Sequence, residues 1–218
     1  MMQYTDKYRR MMMPLIKRSL AARFSRAETA ELIRKSGEEY RDMLNRIDDI
    51  GKDNPMASNV YECLLFLAVW KAADGRISVD CLREITREVM GFPLLKAAGL
   101  FANANRSGLI KLEKKMHANA EWLEQHSRYK ASSWDFNFDK TKHSEGFYYH
   151  FTKCPLNDFA RKEGYLEVLP VMCEIDFLSA ELMHARLIRE QTLASGGEMC
   201  DYWFVGDKSP LAKQNSAE

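Results

Sequence analysis

Ser133-Trp-Asp-Phe-Asn-Phe-Asp139 is the stretch on which the fold turns. Trp134, Phe136 and Phe138 alternate strictly with Asp135, Asn137 and Asp139, which gives one greasy and one polar face, the pattern of a half-buried strand. Gly146-Phe-Tyr-Tyr-His-Phe-Thr152 is a second aromatic run. The polar loop at 140–145 between them predicts an antiparallel hairpin. Upstream of residue 131 the period is helical instead. Ile16, Leu20, Phe24 and Ala27 recur at helical spacing after Pro14, which is expected in the first turn, where its missing N–H has no partner to lose. Gly51-Lys-Asp-Asn-Pro55 breaks the chain. A helix from about 58 to 73 follows, apolar nearly all round and so expected to be buried. Leu82, Ile85 and Val89 mark a third helix ended by Gly91, and Leu109, Leu112, Met116, Ala120 and Leu123 a long fourth.

Downstream of the hairpin the sequence predicts a short helix from Pro155 to about Lys162 and a longer one from about Pro170 to Glu190. Ser195-Gly-Gly197 then leads into a last strand, Met199–Val205, and the polar tail from Lys208 is expected to fray. The fold class is α+β. A helical N-terminal layer (1–130) packs with a small antiparallel sheet and two C-terminal helices (131–207), followed by the tail (208–218), all in one compact unit.

Composition narrows the function classes. The chain has 218 residues, 46% of them hydrophobic, enough for one substantial core. Its formal charge of +1 lacks the basic excess of a phosphate-neutralising protein, which argues against nucleic acid. No run reaches the ~18 apolar residues needed to cross a bilayer, and the start has no secretory pattern. A cytoplasmic location without a membrane partner is expected. Five cysteines, an odd number without dense spacing, read as free thiols and not as a disulfide framework.

The thiols are nevertheless where chemistry is expected. Cys154 precedes Pro155, so it should occupy a helix N-cap, where the dipole favours an anion and a thiol ionises more readily. It is also a position for a small buried hydrophobe. His150 and Thr152 share the alternation face that leads to Cys154. Cys173 and Asp176, three apart on the long helix, lie on one side of it. Thr192-Leu-Ala-Ser-Gly196-Gly197 has two glycines that let backbone N–H groups approach a ligand, or that form a plain helix end. Cys200 and Asp201 open the last strand. Arg189 joins these residues only if the long helix unwinds before it or if the site wraps the helix end.

Lys153-Cys-Pro-Leu156, Gly164-Tyr-Leu-Glu-Val-Leu-Pro170, Met172-Cys-Glu-Ile-Asp176, Arg189-Glu-Gln-Thr-Leu-Ala194 and Gly196-Gly-Glu-Met-Cys-Asp201 occur in this order. Together they resemble the L-2-amino-thiazoline-4-carboxylic acid hydrolase family over the last third of the chain. Cys-Asp is followed here by Tyr202-Trp203-Phe204, where the family pattern has a Phe-rich strand, and this departure bears on the substrate. The resemblance implies hydrolytic opening of a cyclic amidine or isothiourea, as in 2-aminothiazoline-4-carboxylate going to N-carbamoyl-cysteine. A thiolate from Cys154, Cys173 or Cys200 would attack the carbon between nitrogen and sulfur, and Asp176 would position the amidine or activate water. Arg189 or the Gly196–Gly197 amides would hold the substrate carboxylate, with His150, Thr192 and Asp201 nearby. No cofactor is expected. Zinc held by Cys154, Cys173 and Cys200 with His150 or Asp176 is the metal alternative, although the spacings match no standard zinc motif. A non-catalytic small-molecule or thiol-redox sensor is the rival function, and a homodimer through the amphipathic helices is compatible with their faces.

Overall fold

The computed structural model describes residues 1–92 and 103–214. α1 (Lys7–Ala21) turns Met12, Met13, Ile16 and Leu20 inward. It starts well before Pro14, which therefore lies inside the helix and not in its first turn. Pro14 sits on the exposed side, where water can serve the carbonyl one turn back that has lost its N–H partner. α2 (Arg26–Arg46) begins at a capping box: the Ser25 hydroxyl accepts from the Glu28 N–H, and the Glu28 carboxylate accepts from the Ser25 N–H. Ala27 consequently belongs to α2, exposed, and not to the apolar face of the first helix.

α3 (Ala57–Ala73) is buried on nearly all sides, as its uniform hydrophobicity requires, and packs mainly against α2. α4 (Val79–Met90) buries Leu82, Ile85 and Val89. α5 (Gly108–Gln125) buries Met116 and Leu123. No helix among the described residues is long and apolar enough to cross a membrane.

The aromatic runs form the expected antiparallel hairpin, but β1 is only Asn137–Phe138, paired with His150 and Tyr149 of β2 (Phe147–Phe151). The preceding residues are held by a side chain instead of a ladder. The Asp135 carboxylate accepts from the Thr152 and Lys153 N–H groups at 2.8 and 2.7 Å. α6 (Pro155–Glu163) ends at Gly164, whose φ of +80° is left-handed.

α7 (Leu169–Leu182) stops eight residues before the expected Glu190. His184 takes a left-handed turn (φ +54°) without a glycine, and Ala185–Ile188 becomes β3. β4 (Cys200–Gly206) lies between β2 and β3, giving an antiparallel sheet of order β1-β2-β4-β3. The tail does not fray at Lys208: Pro210–Gln214 forms α8, with Ala212 buried, while 215–218 lie outside the described residues.

Period-two alternation gives the sheet two chemically distinct faces. Phe147, Tyr149 and Phe151 pair across with Phe204, Tyr202 and Cys200 on the inner face. There Tyr149 and Tyr202 stack at 4.8 Å between centroids, with ring planes 4° apart. Tyr148, His150, Asp201 and Trp203 occupy the outer face.

Candidate active site

Because the helix ends at Leu182, the chain returns along β3 and delivers Arg189 to the side of α7 that carries Cys173 and Asp176. The Arg189 side chain is only 4% exposed and is held on three sides. Nε donates to the Asp201 carbonyl (3.0 Å), Nη1 to the Cys173 carbonyl (3.1 Å) and Nη2 to Asp176 Oδ2 (2.9 Å). Its guanidinium also lies over the rings of Tyr202 (4.1 Å) and Phe177 (5.4 Å). Burial opposes the charge, but Asp176 and the other surrounding groups more than offset it, so the guanidinium is held above its ordinary pKa.

Tyr202 donates to the same Asp176 Oδ2 at 3.1 Å. Burial, reinforced by the Asp176 carboxylate, pushes the phenol well up, so it stays a donor. Both donors thus converge on Oδ2. Oδ1 accepts no hydrogen bond from the described residues, and the side chain is 35% exposed. The carboxylate is fixed at one oxygen and open at the other.

Three cysteines lie near enough to feel one another electrostatically, and Cys173 also feels Asp176. Cys173 is one helical turn from Asp176. Cys200 is buried on the inner face of β4, with its sulfur accepting from the Leu193 N–H at 3.2 Å. Cys154 is the N-cap of α6, as its place before Pro155 predicts. Its acidity is the reverse of the expectation. Burial outweighs the N–H groups of Asn157 and Leu156 and the Trp134 indole, and pushes the thiol up to about 12. Burial likewise raises Cys173, with Asp176 adding to the effect, and Cys200. All three are neutral thiols at pH 7. Iodoacetamide at pH 8 should therefore modify Cys154, Cys173 and Cys200 at least about tenfold more slowly than free cysteine. Peptide mapping by mass spectrometry would read each rate, and rates equal to free cysteine would show that the sulfurs are ionised.

The other expected site residues divide. His150 and Asp201 project from the outer face, away from the thiols, because Cys200 and its neighbour Asp201 must point to opposite sides of one strand. The Asp201 carboxylate instead accepts from the Glu190 and Gln191 N–H groups, both at 2.9 Å, and fixes the bend that aims Arg189. Thr192 accepts from the Ser195 N–H and shapes the loop. The Gly196 and Gly197 amides are bonded to the Leu193 and Thr192 carbonyls, so they are engaged within the loop. Gly197 is needed for another reason: a Cβ there would meet Gln191 at 2.7 Å. Tyr202 was not among the expected site residues, and its place two positions after Cys200 on the same face was the available signal. Among the described residues no group of three or more His, Cys, Asp or Glu side chains is disposed to hold a metal ion.

Hydrogen bonds from Arg189 and Tyr202 bind segments 173–176, 189 and 200–202 into one unit, and segment 154 supplies the cap of α6. The model of the L-2-amino-thiazoline-4-carboxylic acid hydrolase family matches residues 58–204, which span all four segments and also α3 and α4. No curated protein and no solved structure matches. With a match over well more than half its length, the chain belongs to the L-2-amino-thiazoline-4-carboxylic acid hydrolase family.

Proposed function

We propose that the protein hydrolyses a small cyclic isothiourea or amidine of the 2-aminothiazoline-4-carboxylate type, with Cys173 as nucleophile and Asp176 as its base. One observation carries the reading. A buried arginine and a tyrosine hold Asp176 by Oδ2 alone and leave Oδ1 open, one helical turn from a thiol that keeps its proton at rest. A nucleophile of this kind requires a proton acceptor at the moment of attack, and Oδ1 is suited to that task.

In this scheme Oδ1 takes the Cys173 proton as the sulfur adds to the ring carbon between nitrogen and sulfur. The adduct breaks its bond to the ring sulfur, which leaves with the proton returned by Asp176. A water molecule then adds to the same carbon, giving one proton to Oδ1 and, as the carbonyl forms, its other proton to the former ring nitrogen. The bond to Cys173 breaks, the cysteine recovers a proton, and a carbamoyl product bearing a free thiol remains. Arg189 acts here as the residue that positions Asp176, since its three bonds to the protein leave it poorly placed for the substrate carboxylate.

The test is a panel of 2-aminothiazolines and related cyclic amidines, read by mass spectrometry for the ring-opened urea. Cys173→Ser should lower turnover by about 10²-fold or more and abolish any protein adduct that accumulates under substrate. Full activity in Cys173→Ser would remove the covalent step. No product from the whole panel, together with a reversible disulfide among the three thiols, would favour the redox-sensing role.

A further inference from the structure

The outer face of the sheet carries features that the proposed hydrolysis does not use. A solvated sheet face ordinarily presents small or charged side chains, yet here Tyr148 and Trp203 stand side by side across β2 and β4. Two walls rise around them. On one side the chain at 139–145 folds back, which Gly146 permits: its φ is +90°, and a Cβ there would come within 2.3 Å of the Phe204 carbonyl. The fold-back is fastened by Trp203, whose indole N–H donates to the Glu145 carbonyl at 2.8 Å. It lays the His143 ring flat on Trp203, 3.7 Å between centroids and 3° from parallel. The opposite wall is the 190–191 bend held by Asp201. Between the walls lies a cavity of about 190 Å³, below the usual range for drug-sized ligands and sized for a single ring.

Its charge is one-sided. The carboxylates of Asp139, Glu190 and Asp201 line it against the single ammonium of Lys142. Burial and then Lys142 keep His143 below its ordinary pKa, so that ring adds no compensating charge at neutral pH. The Glu190 carboxylate has no ion pair or hydrogen bond among the described residues. His150, which also lines the cavity, has a buried Nδ1 with no partner. Flat aromatic surface inside a negative rim is complementary to a small planar cation, which gains both ring stacking and charge attraction.

We propose that this cavity on the outer face of the sheet is a second ligand site, separate from the Asp176 centre, that takes a small flat organic cation such as an amidinium or a protonated aromatic amine. It goes beyond the hydrolytic reading and stands whether or not that reading holds. Neutral compounds of the same shape would be bound more weakly, and anions excluded.

The experiment titrates benzamidine into the full-length protein, followed by tryptophan fluorescence and independently by calorimetry, with benzamide and benzoate as neutral and anionic counterparts. Saturable binding is expected, with benzamide at least about tenfold weaker and benzoate without effect. The fluorescence change should vanish in Trp203→Phe, and Glu190→Gln, an exposed substitution, should weaken the calorimetric affinity by about threefold or more. Asp176→Asn should keep the parent's Trp203-dependent fluorescence titration with benzamidine, because that carboxylate lies on the other face of the sheet from Trp203. Loss of that titration in Asp176→Asn would place the cation at the hydrolytic centre and overturn the proposal. Equal affinity for benzamide, an unchanged titration in both Trp203→Phe and Glu190→Gln, or no saturation up to about 10 mM would overturn it as well.

Discussion

Asp176→Asn should lower the turnover of a ring-opened substrate by about 10³-fold, within the range expected for removing a general base. The amide is isosteric, so the loss can be assigned to chemistry and not to shape. Its orientation is also dictated. Arg189 Nη2 and the Tyr202 hydroxyl both donate to the Oδ2 position, so the amide must present its carbonyl there and its NH₂ where Oδ1 was. An NH₂ group cannot take a proton from a thiol or from water. The loss should fall on kcat, because the guanidinium and phenol that fix the side chain stay bonded. Stability should fall by roughly 2 kcal/mol, since the charge facing a buried guanidinium is gone. Steady-state kinetics beside urea unfolding measures both. Turnover within about tenfold of the parent would show that Asp176 is not the base.

Arg189→Leu should instead unfold the centre. The guanidinium satisfies the Cys173 carbonyl on α7, the Asp201 carbonyl on β4 and the Asp176 carboxylate together. Its removal leaves a partly buried anion with Tyr202 as its remaining donor. A cost of about 3–5 kcal/mol is expected in urea unfolding. Arg189→Lys keeps the charge but offers one compact ammonium in place of a planar fork, so it cannot reach three acceptors in three directions. It should recover less than half of the loss. In a double-mutant cycle, Arg189→Leu and Asp176→Asn should couple by about 1 kcal/mol or more, because they share one bond. An Arg189→Leu protein as stable as the parent would mean that the three contacts do not hold the elements together.

Much of the fold could be read from periodicity, because periodicity is what burial imposes. The all-round apolar character of about 58–73 marks the central helix, and the 133–139 alternation together with the aromatic run at 146–152 marks the hairpin. The α2 start was also written in the sequence, as Ser25 and Glu28 at capping-box spacing, but the apolar spacing that runs on through Phe24 to Ala27 conceals it. The end of α7 was not legible. Leu182-Met-His-Ala185 contains neither glycine nor proline, and His184 adopts the left-handed conformation because the tertiary fold requires a reversal there. Missing that reversal hides β3 and leaves Arg189 seemingly on the core stripe of a longer helix. Within the site, Cys173 with Asp176 was readable from helical spacing. Cys200 with Asp201 was misleading, since adjacency along a strand separates side chains instead of gathering them. The raised thiols were hidden for a different reason: an N-cap position predicts a depressed value, and only packing shows that desolvation outweighs it.

β4 supplies both sides of the sheet with alternate residues, Cys200, Tyr202 and Phe204 inward, Asp201 and Trp203 outward. A deletion or insertion of a single codon between 200 and 206 would therefore turn the strand inside out, driving a carboxylate and an indole into the greasy layer and expelling the sulfur and the phenol. Length variation among natural relatives should accordingly be purged from this strand and accumulate in the polar crossover at 140–145, where an extra residue leaves the pairing intact.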